Sequence, residues 1–235
     1  MCTSFVYRKD NNIVAMNFDN NGMNFEVNTK WQNQFTILVD GGRGKVPSFG
    51  VNSDGTFINH LFVDSNGKGT YKRPSKKVTH TSKLVKDILD GTITADDISS
   101  YLQRIEVVNV PDFSVHNMIS DKCGNVWVVE PGRGIIYSPV NEIPYFIMTN
   151  FSLCDYKSTE LLSGSGTDRY NIADKLLCKA NNLDIEGAFK ILQSVMQKDG
   201  EWITEFSMVY SQRDQTVYYC YNGDFNKILK YSFKN

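Results

Sequence analysis

The chain has 235 residues, with 25 Lys and Arg against 26 Asp and Glu, a formal net charge of −1. Apolar residues make up 41% and charged residues 22%, the balance of a folded globular protein, which excludes collagen, coiled coil and disorder. No basic excess marks a nucleic-acid partner, and no apolar run is long enough for a membrane helix. At this length about 70–75% of the unfolded surface can be buried, so a core needs no staples.

The opening Met1–Asp10 segment lacks the basic, apolar and small-residue regions of a secretory signal, so the chain is expected in the cytoplasm. Five cysteines are present, Cys2, Cys123, Cys154, Cys178 and Cys220, with no C-x-x-C pair. That odd, scattered set argues against a disulfide framework or a zinc ribbon. His60, His80 and His116 are far apart, so no metal site is expected.

In chain order, Thr3–Tyr7 and Ile13–Phe18 flank the turn cluster Lys9–Asn12 and predict a hairpin. Strands are expected at Phe35–Val39, Ser48–Asn52 and Thr56–Val63, with Asp54-Gly55 as a hairpin turn. A helix starts near Ser82, with Leu84, Val85, Ile88 and Leu89 on one face and Gly91 ending it. Thr94 reads as the N-cap of a second helix carrying Ile98, Leu102 and Ile105. Strands return at Val107–Val110, Ser114–Ser120, Val126–Glu130, Gly134–Ser138 and Tyr145–Thr149. Asp168–Asn181 and Ile185–Gln197, the latter capped by Asp184, form another helix pair. Strands at Glu205–Ser211, Thr216–Tyr221 and Lys227–Phe233 close the chain. No linker divides residues 1–235, which are read as one domain. Strand runs interrupted by helix pairs predict an α+β fold of antiparallel sheets with helices outside. A four-layer αββα sandwich fits this order, as does a plain two-layer arrangement.

Position 2 carries the most specific chemistry. If the initiator Met is removed, Cys2 becomes the first residue, its thiol beside a free α-amine. An α-amine with a pKa near 7.7–8.0 is partly neutral at working pH and can serve as a base. A thiol gains as a nucleophile from such a base, so one residue supplies both groups without a histidine. Against this stands the bland alternative of a small buried hydrophobe.

Met1-Cys2-Thr3-Ser4, a hairpin, then Met16-Asn17-Phe18-Asp19 resemble the opening of the choloylglycine hydrolases. These are N-terminal-nucleophile amidases that include bile salt hydrolases, penicillin V acylases and acid-ceramidase-like enzymes. The resemblance continues through Gly50–Gly55, Asp121–Asn125 with Val128-Val129-Glu130, Met148-Thr149-Asn150 and Thr167-Asp168-Arg169-Tyr170. It implies the αββα fold and a hydrolase of linear C–N amides working through a thioester. It implies Cys2 as nucleophile with its α-amine as base, Asp19 holding that amine, Asn150 donating to the oxyanion and Arg169 supporting the thiolate. Members commonly carry an arginine three residues before the aspartate; here that position is Met16, with Arg8 or Arg169 as the substitute cation. Asn59 does not fall cleanly on the family's second oxyanion asparagine.

The reading implies no cofactor and no metal. Its partner is a small acyl-amide substrate, with no nucleic acid and no membrane; further copies of the chain in a homo-oligomer are compatible with it. The runner-up is an inactive member acting as a small-molecule binding module. Trp31, Phe35, Phe62 and Phe151 are expected to line an acyl pocket. Gly41–Gly44 and Lys72–Lys77 read as loops, and Tyr218, Tyr219, Tyr221 and Tyr231 as strand packing.

Overall fold

A computed structural model describes residues 1–31, 33–42, 44–156 and 163–233. The chain opens with β1 (Cys2–Arg8), β2 (Asn12–Asn20), β3 (Phe25–Asn28), β4 (Gln34–Asp40) and β5 (Lys45–Asn52). The short β6 (Phe57–Ile58), β7 (Leu61–Phe62) and β8 (Val78–His80) lead into α1 (Thr81–Leu89). A 3-10 turn at Ala95–Asp97 precedes α2 (Ile98–Arg104), then β9 (Glu106–Val108) and β10 (Val115–Ser120). Next come β11 (Val126–Glu130), β12 (Gly134–Ser138), β13 (Tyr145–Met148), α3 (Thr167–Lys179) and α4 (Ile185–Ser194). The end is the meander β14 (Ile203–Ser211), β15 (Thr216–Tyr221) and β16 (Leu229–Ser232).

One sheet has the order β13-β1-β2-β14-β15-β16. The other runs β12-β11-β10-β6-β5-β4-β3, with β7 also on β10. Neighbours in both are antiparallel, whereas β8 and β9 form a small parallel pair.

Strand side chains alternate between faces, which sorts the apolar residues into three layers. Val6, Val14, Met16, Phe18 and Phe206 of the first sheet meet Phe35, Phe49, Phe57, Met118 and Val128 of the second. Phe5, Ile13, Ala15 and Val209 face the other way and pack under Ala173, Leu177, Ala188 and Leu192 of α3 and α4. Ile58, Ile119 and Val129 lie beneath Leu84, Val85 and Ile88 of α1 and Leu102 of α2. The architecture is the four-layer αββα sandwich, not the two-layer alternative. Because β1 and β2 are covered on both faces, they read as continuous buried runs rather than alternating ones. Each fully buried large apolar side chain contributes roughly 1.5–3 kcal/mol, so the central sheet is a rigid platform for its chain end.

Three local departures have physical causes. The expected strand Thr56–Val63 is split because the Asn59 side chain enters the ladder. Its Oδ1 accepts the Met118 N–H at 2.9 Å, and Asn117 Nδ2 donates to its backbone oxygen at 2.6 Å. Helix α1 begins at Thr81, capped by His80, whose ring nitrogen accepts from the Lys83 N–H. Thr94 makes no side-chain cap; its hydroxyl donates to Asp97 instead.

Candidate active site

The pairing of β1 with β2 sets Cys2 opposite Phe18, so Asp19 lies beside the chain start. Cys2, Met16 and Phe18 belong to the layer between the sheets. Thr3 and Asp19 occupy the alternate positions, toward the helices. A β-bulge in β14 sets the next feature. Phe206 pairs with Phe18 but Thr204, not Glu205, pairs with Asp19. Bulges re-aim side chains, and here the Thr204 hydroxyl donates to Asp19 Oδ1 at 2.6 Å.

Arg169, in the first turn of α3, ties the site together. Its Nη1 donates to the Cys2 carbonyl at 2.6 Å, to Thr3 Oγ1 at 2.9 Å and to Asp19 Oδ2 at 3.3 Å. Its Nη2 donates to Asn150 Oδ1 at 2.9 Å. The N-cap of α3 is Gly166 at φ +80, where a Cβ would stand 2.5 Å from Arg169 Nη2, so glycine is what lets the guanidinium fold back.

Asn150 follows the end of β13. Its Oδ1 also accepts the Cys2 N–H at 2.8 Å, and its Nδ2 donates to the Phe62 carbonyl at 2.7 Å. One of its two amide hydrogens is therefore engaged. All four residues singled out from the sequence, Cys2, Asp19, Asn150 and Arg169, thus meet in one buried cluster.

The electrostatics follow from that burial. Desolvation raises the Cys2 thiol to about 11, with the nearby terminal amine pulling it down. Desolvation likewise lifts Asp19 to about 6, against the Thr204 hydrogen bond, the Arg169 charge and the terminal amine. The Met1 amine donates to the Asp19 carbonyl at 3.2 Å, and burial lowers its pKa. With Met1 in place, the nitrogen of Cys2 is a peptide N–H.

Several expectations are corrected. Arg8 is no substitute cation: it sits at the far end of β1, roughly 20 Å from Cys2 at strand spacing, donating to Gly124, Ser138 and Ile143 carbonyls. Met16 is fully buried between the sheets, on the thiol's face. Of the four aromatic residues expected to line a pocket, Phe35 packs on Tyr219 and Tyr231 in the core, Phe151 packs on Tyr170, and Trp31 is exposed. Phe62 borders the site through its carbonyl, with Trp202 and Phe113 against its ring at 5.5 and 5.4 Å. Thr204, Trp202 and Gln197, whose Nε2 donates to Asp19 Oδ2 at 3.4 Å, carry no sequence signal, since a bulge and a loop place them. Arg43, within Gly41–Gly44, lies outside the described residues. A groove of about 450 Å³ lies at the other end of the β1–β2 hairpin, lined by Tyr7, Asp10, Leu183 and Arg213, and does not reach Cys2.

Among the described residues, no group of three or more His, Cys, Asp and Glu could hold a metal, and no helix is long and apolar enough to cross a membrane.

This layered arrangement around the second residue of the chain is the N-terminal-nucleophile hydrolase fold. It is similar to a variant of conjugated bile acid hydrolase from Clostridium perfringens, with a TM-score of 0.71 and 14% identity over 98% of this chain and 92% of that one. It is also similar to penicillin V acylase from Agrobacterium tumefaciens, with a TM-score of 0.65 and 17% identity over 94% and 83%. A third similar structure is the Caenorhabditis elegans N-acylethanolamine-hydrolyzing acid amidase ortholog, with a TM-score of 0.62 and 16% identity over 90% and 93%. No protein-family model matches the chain, and no curated protein sequence does. The resemblance to choloylglycine hydrolases thus holds at the level of fold.

Proposed function

We propose that the chain is a cysteine N-terminal-nucleophile amidase that hydrolyses a linear, non-peptide C–N amide of a small acylated molecule. The observation that carries this reading is the convergence on residue 2. Asn150 Oδ1 lies 2.8 Å from its nitrogen, Arg169 lies 2.6 Å from its carbonyl, and Asp19 shares the same guanidinium. Removal of Met1 turns that nitrogen into a free amine that already has an acceptor.

In the proposed steps the neutral amine takes the thiol proton and Cys2 Sγ attacks the acyl carbon. The C–S bond forms, and the carbonyl electron pair moves to oxygen, where the unengaged N–H of Asn150 donates to it. Collapse breaks the C–N bond, and the ammonium of Cys2 protonates the departing amine. Water then attacks the thioester, giving its proton to the same amine; the C–S bond breaks, the acid leaves and the thiol regains its proton. Asp19 favours the cationic form of the amine that protonates the leaving group. These steps use no metal or organic cofactor, and they require no further copies of the chain. They need a reduced thiol, and all five cysteines are free, which suits a cytoplasmic setting. The similar structures are named for conjugated bile acids, penicillin V and N-acylethanolamines; we place this substrate in the broad class of small acyl amides.

A second reading is a binding module, favoured by one observation: Met16 stands on the thiol's face, where a cation would lower the thiol pKa, and the thiol sits at about 11. Intact-mass measurement of untagged protein, followed by an amide screen of wild type and Cys2→Ala, decides. Loss of one Met together with Cys2-dependent turnover supports the amidase. Processed wild type that turns over no amide leaves the binding module.

A further inference from the structure

We propose that the buried His116–Glu130 pair is a positioning device for Asn150, fixing the chain on both sides of it. This rests on the amidase reading, in which Asn150 holds the Cys2 nitrogen.

The two residues face each other from β10 and β11, one step beyond the Asn117–Val129 pair, and both side chains are fully buried. His116 Nδ1 lies 3.1 Å from Glu130 Oε1, and its Nε2 lies 2.8 Å from the carbonyl oxygen of Thr149. Thr149 immediately precedes Asn150. The same carboxylate accepts the N–H groups of Leu153 at 2.9 Å and Cys154 at 3.2 Å, and the hydroxyl of Ser152. The pair therefore belongs to the second sheet yet grips residues 149 and 152–154, which bracket Asn150 at the end of a strand in the first.

Carbonyl and carboxylate oxygens only accept, so a ring N–H of His116 is what either contact calls for. Burial pushes Glu130 up, but the His116 hydrogen bond and charge, Ser152 and the Leu153 N–H outweigh it and hold it at about 2. Sequestering charge costs several kcal/mol per ion, and an apolar pair of similar volume is often as stable or more so. What an apolar pair does not supply is directed hydrogen bonds across the sheets, and the position of Asn150 depends on those. Cys2 feels the result: the Asn150 oxygen that meets its nitrogen also meets Arg169, so a shift of the strand end moves three groups together.

The test uses full-length protein after Met1 removal, with Glu130→Gln and the apolar double variant His116→Leu/Glu130→Met. Expected is a folded protein whose kcat falls about 100-fold with KM within about twofold, the signature of misplacement by an ångström rather than lost binding. The rate at which iodoacetamide alkylates Cys2 should change in the same variants, a readout that needs no substrate. Folded variants with wild-type kcat and wild-type alkylation overturn the proposal. If wild type turns over no amide, the amidase reading fails, and the alkylation rates still decide whether the pair acts on Cys2. If both variants unfold, Ser152→Ala, which removes one donor to Glu130, takes their place: a changed Cys2 alkylation rate supports the device, and a wild-type rate overturns it.

Discussion

Arg169 meets Cys2 at its carbonyl oxygen, 2.6 Å away, from the helix-covered side of the sheet. The thiol belongs to the opposite face, within the layer that holds Met16. The Arg169 guanidinium therefore secures the backbone of Cys2 rather than flanking its sulfur. This division accounts for a thiol in which burial outweighs every nearby charge.

Met16→Arg should reverse that balance. A cation on the sulfur's own face is expected to lower the Cys2 pKa and speed its alkylation near neutral pH. It should also cost about several kcal/mol, since it places a charge where an uncharged thioether is fully buried. Alkylation rate against pH, beside urea unfolding, checks both halves. An unchanged alkylation profile in a folded variant would show that position 16 does not reach the sulfur.

Asp19→Asn should lose turnover by about 10²–10⁴-fold through proton transfer, while remaining folded. Its stability effect has a definite sign. The carboxyl is lifted from 3.8 to about 6, so between those values the folded state binds more protons than the unfolded one. Asp19 therefore removes stability as pH rises through that window. The Asn variant should lack this downward slope, and paired denaturant titrations from pH 4 to pH 7 read the difference.

Asn150 separates its two functional groups by substitution. Asn150→Asp keeps an oxygen toward Cys2 and Arg169 but cannot donate to Phe62 or to an oxyanion. Asn150→Ala loses both. An oxyanion donor is worth about 10²–10³-fold in kcat, so both variants should fall at least that far, with Ala below Asp. Equal kcat in Asp and wild type would remove the oxyanion assignment.

Acid should destabilise the protein through groups outside the nucleophile cluster. His60, partly buried and hydrogen-bonded to Thr81, is held by desolvation and then by His116 and His80 at about 3, against 6.5 ordinarily. Its contribution is intact above about 6.5 and is lost as pH falls toward 3. Glu130, at about 2 against 4.5, adds a loss in the same direction below 4.5. His60→Gln should flatten the upper part of this acid limb. A stability curve unchanged between pH 6.5 and pH 4.5 would assign the limb elsewhere.

The placement of the four site residues was legible because each stands at the end of an element with a strong pattern. Cys2 and Asp19 bound a hairpin, Asn150 ends an apolar strand, and Arg169 opens a helix. The shared order of weak motifs then supplied what spacing could not. Other parts were illegible for physical reasons. Thr204 reaches Asp19 only because one extra residue shifts the phase of β14. Strand β3 carries the alternation Phe25-Glu26-Val27-Asn28 over four residues only, the shortest run in which a period of two can be read. The break after β6 comes from a side chain imitating backbone. The aromatic pocket was sought by nearness in sequence, yet Phe35 is mid-strand in the core, while Trp202 comes from a loop much further along the chain.

The partners of β1 also set a timetable for synthesis. Asn150 is 148 residues beyond Cys2, and the Thr204 hydroxyl is 185 residues beyond Asp19. At about 5–20 residues per second, the ribosome delivers them roughly 10–40 s after the first strand emerges. Until then neither the strand that covers one flank of β1 nor the one beyond β2 exists, and the amino end stands in solvent. An aminopeptidase has that interval to reach Met1, which the finished sandwich then half-buries. Ribosome-bound chains stopped before residue 145 should accordingly lose Met1 to an added aminopeptidase faster than released full-length chains that still carry it.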